Sequence, residues 1–281
     1  MARPIKWSEK KIEQLEREGR GKGEGATYIP WVQVFDFSSK GNSRRAFSRL
    51  TNRVHHLFSD IEWHAFLLME FAHDVEDIRE QYPLPREETL AIAAHLGIKH
   101  PTYPGTRVPA VMTCDFLLKR VTRDSRGRLE AYNCKSSDEA EDFRSLEKLE
   151  IQRAYFDGCG VPHHLLFDSL LPKNKIRNLN WIRAANEAPG EVQPHEDFFQ
   201  LHKERVCHEL ASGNLSGSLV QYCTAYDART GSTEGVCMRM VRMLLGEKKV
   251  TTDLNQPDLA TAPVAMFVVN DDALCDIRRA G

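Results

Sequence analysis

The 281-residue chain has no C-x-x-C cysteine pair, no large excess of charge of either sign, and nothing approaching the roughly 20 apolar residues in line that a membrane-spanning helix requires. The last absence excludes a helical membrane anchor. The start, MARPIKWSEKK, is charged with no apolar stretch behind it, so it does not read as a secretory signal, and a cytoplasmic protein is expected. The 7 cysteines, Cys114, Cys134, Cys159, Cys207, Cys223, Cys237 and Cys275, are odd in number and unpaired in spacing. They read as reduced thiols packed as small apolar groups, against disulfides or a zinc site.

The net charge of −2 argues at first against a nucleic-acid partner, but the sum hides a pattern. Residues 1–53 carry 12 Lys and Arg against 6 Asp and Glu, residues 54–100 carry 3 against 9, residues 101–136 carry 7 against 3, and residues 137–160 carry 3 against 7. Alternating basic and acidic blocks suit a protein that holds both a polyanion and metal ions.

Hydrophobic spacing predicts a charged helix over Ser8 to Glu18 with Ser8 as N-cap and Ile12 and Leu15 inward. A glycine-rich stretch comes next, either a plain linker or a flexible basic approach to a phosphate backbone, and then a strand from Tyr28 to Phe37, rich in aromatic and β-branched residues. Arg44, Arg45 and Arg49 lie in a polar stretch. The run opened by Ser59-Asp60-Ile61-Glu62 reads as a helix through Phe71, Val75 to Tyr82 as a strand and Glu87 to Leu96 as a helix. Ala110 to Val121 and Leu129 to Lys135 flank the turn signal Asp124-Ser125-Arg126-Gly127 and predict a β-hairpin. Ser145 to Phe156 predicts an amphipathic helix, and Val161 to Phe167 a buried strand. Beyond about Pro172 helical patterns take over, which places a boundary between an α/β domain, residues 1–172, and a mainly helical domain, residues 173–281. The order helix, turn, helix, strand near the end is compatible with a winged-helix module.

The hairpin carries chemistry. Asp115 stands as far before the turn as Lys135 stands after it, so antiparallel pairing brings both to one end of the sheet, and alternation puts Asn133 and Lys135 on one face. A carboxylate there can bind metal while an ammonium orients or deprotonates an attacking water, and the Cys134 carbonyl adds a hard oxygen suited to magnesium. Each residue also has a plainer reading. Asp115 and Lys135 are ordinary strand-end charges, and Ser59-x-x-Glu62 is a capping box in which the glutamate folds back onto the Ser59 N–H. His55-His56 and His163-His164 are packing or hydrogen-bonding residues more readily than metal ligands.

The segments EGRGKGEGATYIPWVQV, RVHHLFSDIEWHAFLLMEF, DVEDIREQYPL, GIKHP, MTCDFLLKR and LEKLEIQRAYF together resemble the TnsA family, the endonuclease subunits of Tn-seven-type heteromeric transposases. The likeness runs in order over residues 17–170. It implies a restriction-endonuclease-like mixed sheet flanked by helices, followed by a winged-helix-like C-terminal domain for partner interaction. It also implies cleavage at the 5′ ends of a transposon, beside the partner transposase TnsB and the AAA+ ATPase TnsC, by a protein associated with the nucleoid when active. The family's glutamate falls on Glu62, its aspartate on Asp115 and its lysine on Lys135, which reverses the capping-box preference for Glu62. Glu62, Asp115 and the Cys134 carbonyl then hold two magnesium ions, with manganese able to substitute, and Asn133 and Glu150 support them. Asn133 stands where the family usually has glutamine, which favours the Cys134 carbonyl as the direct ligand. Arg44, Arg45, Lys99, His100 and Arg126 are the expected contacts to double-stranded DNA. Two other functions fit the residues: a stand-alone restriction or repair nuclease of the same fold, and a non-catalytic adaptor that docks an AAA+ regulator.

Overall fold

The computed structural model describes residues 5–36, 42–122, 127–138, 142–187 and 190–270, and the chain divides into two compact units, Met1–Leu171 and Pro172–Gly281.

The first unit opens with α1, Glu9–Arg17. The Ser8 hydroxyl accepts the Lys11 N–H, satisfying one of the donors that a helix start leaves open, and the helix buries Ile12 and Leu15 against Trp31 and Tyr103. The described part of the segment expected as a strand from Tyr28 is instead irregular, with one 3-10 turn at Val34–Asp36. Its apolar residues go to separate partners: Trp31 enters the α1 cluster, while the Tyr28 hydroxyl donates to the Glu80 carbonyl at 3.0 Å. Strand pairing occurs just beyond, where a polar stretch was expected. Arg44–Ser48 (β1) pairs antiparallel with Arg53–Leu57 (β2), with Phe47 opposite Val54. One face of this ribbon is buried through Ala46, Ser48, Arg53, His55 and Leu57.

Next come α2, Asp60–Phe71, β3, Val75–Pro83, and α3, Arg86–His95. The predicted hairpin forms as β4, Thr113–Arg120, and β5, Arg128–Lys135, in the register Phe116 to Tyr132 and Arg120 to Arg128. After α4, Phe143–Gly158, the chain returns as β6, His163–Phe167, so the sheet runs β3-β4-β5-β6 with its last pair parallel. A crossover helix is what a parallel neighbour requires, and α4 supplies it. Leu149, Ile151 and Phe156 of α4 are buried, while Leu146, expected on the same face, is 45% exposed. Behind the sheet, Leu84, Cys114, Leu117, Ala131 and Phe156 form one core cluster.

The second unit is helical: α5, Lys173–Arg183; α6, Phe198–Ala211; α7, Leu219–Thr230; and α8, Val236–Gly246. Helix α8 buries Cys237, Met240, Val241 and Leu244, and α5, α6 and α7 pack on it. The buried Asp227 carboxylate accepts the N–H groups of Gly235 and Cys237 at 2.8 and 2.9 Å, capping α8 from within α7. Two short strands, β7, Val250–Thr251, and β8, Val268–Val269, pair antiparallel. Helix α5 was not anticipated, because its polar residues mask the inward set Ile176, Leu179 and Ile182.

Candidate active site

The regular pairing of β4 with β5 ends at Phe116 and Tyr132, and beyond that pair a single side chain sets how the two strands meet. The Ala131 N–H is given to Pro162 on the β6 side, so by alternation along the strand the N–H and C=O of Cys134 point toward β4. The Cys134 N–H donates at 2.7 Å to Oδ2 of Asp115. A carboxylate thus takes the place of a ladder carbonyl, and the Cys134 carbonyl, projecting to the same side as its N–H, faces the neighbourhood of that carboxylate.

Glu62 reaches the same place from the first turn of α2. Ser59 is the N-cap, accepting the Glu62 N–H at 3.1 Å, as the capping-box spacing predicts. The return bond differs: Oε2 of Glu62 accepts the Phe58 N–H at 2.9 Å, one residue further back, and Oε1 accepts the Ser59 hydroxyl at 3.2 Å. Capping and site placement were expected to exclude each other. They coexist because the carboxylate, 6% exposed, is held at the helix end while lying within electrostatic reach of Asp115 and Lys135. Burial first, and then the charge of Asp115, raises the Glu62 carboxyl to about 8, opposed by the Phe58 and Ser59 hydrogen bonds and by Lys135. The buried Cys134 thiol is pushed well up by burial, Asp115 and Glu62, with Lys135 acting the other way. Two carboxylates and an ammonium, brought by α2, β4 and the end of β5, therefore lie within electrostatic reach of one another, with Asp115 on the Cys134 peptide.

This donor set fits a hard divalent cation. Two carboxylates and a carbonyl are oxygen ligands of the kind magnesium takes, and the mutual repulsion that raises Glu62 is what a cation between them would relieve. Among the described residues no group of three or more His, Cys, Asp or Glu is arranged to hold a metal, so the backbone carbonyl matters to the count.

The other expected residues scatter. Asn133, 3% exposed, has its side-chain oxygen engaged at 2.7 Å by Nε2 of His163, which burial holds neutral by lowering its pKa to about 4. Glu150, partly exposed on α4, pairs with Arg153 at 2.7 Å. Arg44 pairs with Asp60 at 2.6 Å and lies over the Trp63 ring. Arg45 and Lys99 are exposed. His100 is spent within the chain, one ring nitrogen on the Pro101 carbonyl and the other on the Thr89 hydroxyl. Arg126 lies outside the described residues. Of the basic stretch around it, Lys119 pairs with Glu76, Arg120 with Asp74 and Glu130, and Arg128 with Glu130.

Sequence reasoning also missed a support behind the site. Glu80, fully buried on β3, is bound by Arg53 at 2.6 Å and by Nδ1 of His55 at 2.8 Å, and it accepts the His56 N–H at 3.0 Å. This ties the β1-β2 ribbon to the sheet one strand away from Asp115. The histidine pair was the available signal, since hydrogen-bonding histidines need a partner, but nothing local names Glu80.

The chain is also similar to known proteins. Residues 72–168 match the family model described as TnsA-like endonuclease N terminal, a range that contains Asp115, Cys134 and Lys135 and begins after Glu62. The chain is 35% identical over 227 residues, 81% of each chain, to the transposon Tn7 transposition protein TnsA of Escherichia coli. A mixed sheet presenting carboxylates at the ends of β4 and α2, and a likeness extending across four fifths of both proteins, lead to one assignment: the chain belongs to the TnsA family of transposition endonucleases.

Proposed function

We propose that the chain is the endonuclease subunit of a Tn7-like transposase, making metal-dependent cuts at the 5′ ends of the transposon while a TnsB-type partner acts on the 3′ ends and a TnsC-type ATPase regulates both. The observation that carries this reading is the convergence of Glu62, Asp115 and the Cys134 peptide, with Lys135 in electrostatic reach.

Glu62, Asp115 and the Cys134 carbonyl are the residues that would hold magnesium, two ions on this reading, with manganese as a substitute. A bound cation supplies neutralisation of the phosphate charge and a water acidic enough to attack at neutral pH. The rest is done by the chain. Asp115 is oriented by the Cys134 N–H, and Glu62 by Phe58 and Ser59, so neither carboxylate has to be ordered when DNA arrives. Lys135, the last residue of β5, positions the attacking water and places a positive charge beside the phosphate as negative charge builds on it.

The near-neutral net charge fits the same reading. Non-specific DNA affinity comes from phosphate contacts, and a nuclease with few of them does not cut at random but acts where partners deliver it. No helix among the described residues is long and apolar enough to cross a membrane. The decisive experiment maps 5′ nicks on donor DNA incubated with the chain alone, with a TnsB-type partner, and with both partners and magnesium. Cutting only in the complete mixture, abolished by Asp115→Ala and Lys135→Ala, is the expected result. Cutting by the chain alone would make it a stand-alone nuclease, and undiminished cutting by both variants would assign the chemistry elsewhere.

A further inference from the structure

Beside the carboxylates lies a cavity of about 400 Å³ in the first unit, lined chiefly by Trp7, Trp31, Phe58, Gln81, Tyr103 and Thr113. Two of its residues are the immediate neighbours of the site. Phe58 gives its N–H to Glu62, and Thr113 stands two residues before Asp115 on β4, on the same strand face and about 6.6 Å along it.

The lining is aromatic with a few polar groups. Trp7 and Tyr103 stack in parallel, ring centroids 3.8 Å apart. Trp31 is 3% exposed, and its buried indole N–H has no well-aligned partner among the described residues, the Tyr103 hydroxyl being the one polar group at hand. Gln81 accepts the Thr113 hydroxyl on its amide oxygen at 3.2 Å, and both residues line the cavity. Its backbone is left-handed, φ 48°, a costly conformation for a residue other than glycine, and its carbonyl accepts the backbone N–H of Trp31 at 3.3 Å.

A purely apolar void would suit a core side chain. Flat aromatic walls joined to an indole N–H, an amide and a hydroxyl suit a flat heteroaromatic ring with a hydrogen-bonding edge. Resting on the proposed endonuclease function, we propose that this pocket receives a nucleobase turned out of the duplex next to the scissile phosphate. The base is held by its face against the aromatic wall and by its edge on Trp31 and Gln81. Its displacement would fix the position of the phosphate over Asp115, and so the position of the cut.

The test uses the full chain with its partner transposase and a transposon-end duplex carrying 2-aminopurine at each position around the 5′ cut in turn. One position is expected to change fluorescence on assembly, in wild type and in Asp115→Asn alike, and to lose that change in Trp31→Phe and Thr113→Val. Trp7→Ala is expected to slow cutting about tenfold, the weight of one lost base–aromatic stack. An abasic nucleotide at that same position should equalise Trp7→Ala with wild type. Equal fluorescence at every position, or a cutting defect that the abasic end leaves unchanged, overturns the proposal. So does loss of partner binding by Trp7→Ala without DNA, which would make the pocket a protein contact. Because Asp115→Asn removes cutting but not the fluorescence change, the pocket and the nuclease reading fail separately.

Discussion

The Asp115 carboxylate accepts the Cys134 N–H at 2.7 Å, where the β4-β5 ladder would otherwise continue. This bond holds the carboxylate still, and alternation along β5 puts the Cys134 carbonyl on the same side. On the proposed function Cys134 contributes its peptide and not its sulfur. Cys134→Ala is expected to lose roughly 1 kcal/mol of stability, because the buried thiol is small, and to cut transposon ends at the wild-type rate. A thiolate ligand would make the same variant inactive, which a cleavage time course distinguishes.

Asp115→Asn keeps an oxygen that can accept the Cys134 N–H while removing the charge. Its circular dichroism spectrum should match wild type, and cutting should fall on the order of a hundredfold or more, as expected for losing a group that acts on charge in the transition state. Wild-type activity in this variant would remove Asp115 from the chemistry.

Cation binding should also register as stability. A ligand that binds only the folded chain at a hundred times its dissociation constant adds about 2.7 kcal/mol, so millimolar magnesium or manganese should raise the melting temperature of wild type. Glu62→Gln and Asp115→Asn should each lose most of that increment, since each removes one of two carboxylates. An identical increment in all three proteins would place the cation elsewhere.

Acid sensitivity should trace to Glu80. Burial alone would raise its carboxyl, but His55 and Arg53 overcome this and bring it down to about 2. A depressed carboxyl contributes stability that is fully present above its ordinary value near 4.5 and is lost as pH falls toward 2. Glu80→Gln should flatten the pH dependence of unfolding in that window. It should also cost about 3–5 kcal/mol at neutral pH, because Arg53 is left buried without its counter-charge. Chemical denaturation at pH 7 and pH 3 reads both effects.

Among the expected DNA contacts, Arg45 and Lys99 are exposed, whereas His100 is engaged inside the chain. Arg45→Ala and Lys99→Ala should each weaken DNA binding by the assembled transposase for all end sequences alike and lower its salt dependence by about one unit of slope. His100→Ala should leave that slope unchanged while lowering the melting temperature. A titration of binding against salt tests all three.

Much of the fold was legible in the chain because it is decided locally. Ser8 and Ser59 start helices with their own hydroxyls, alternation and a turn make the β4-β5 hairpin, and that hairpin alone brings Asp115 and Lys135 to one end. The family resemblance added Glu62, which no local rule separates from a capping residue. Elsewhere local preference misled: Tyr28 to Asp36 has the composition of a strand, yet the Glu80 carbonyl and the α1 cluster draw its side chains apart. Meanwhile the polar-looking Arg44–Ser48 pairs because β2 lies beside it. The sequence by itself determined most of the helices, though not α5, together with the hairpin and the residue types at the carboxylate site. Only the tertiary structure decided that Glu62 can cap α2 and still face Asp115, that Glu80 joins Arg53 and His55, and that an aromatic pocket opens beside the carboxylates. Each depends on groups far apart in the chain meeting where water is excluded, and there pairing and charge outweigh local propensity.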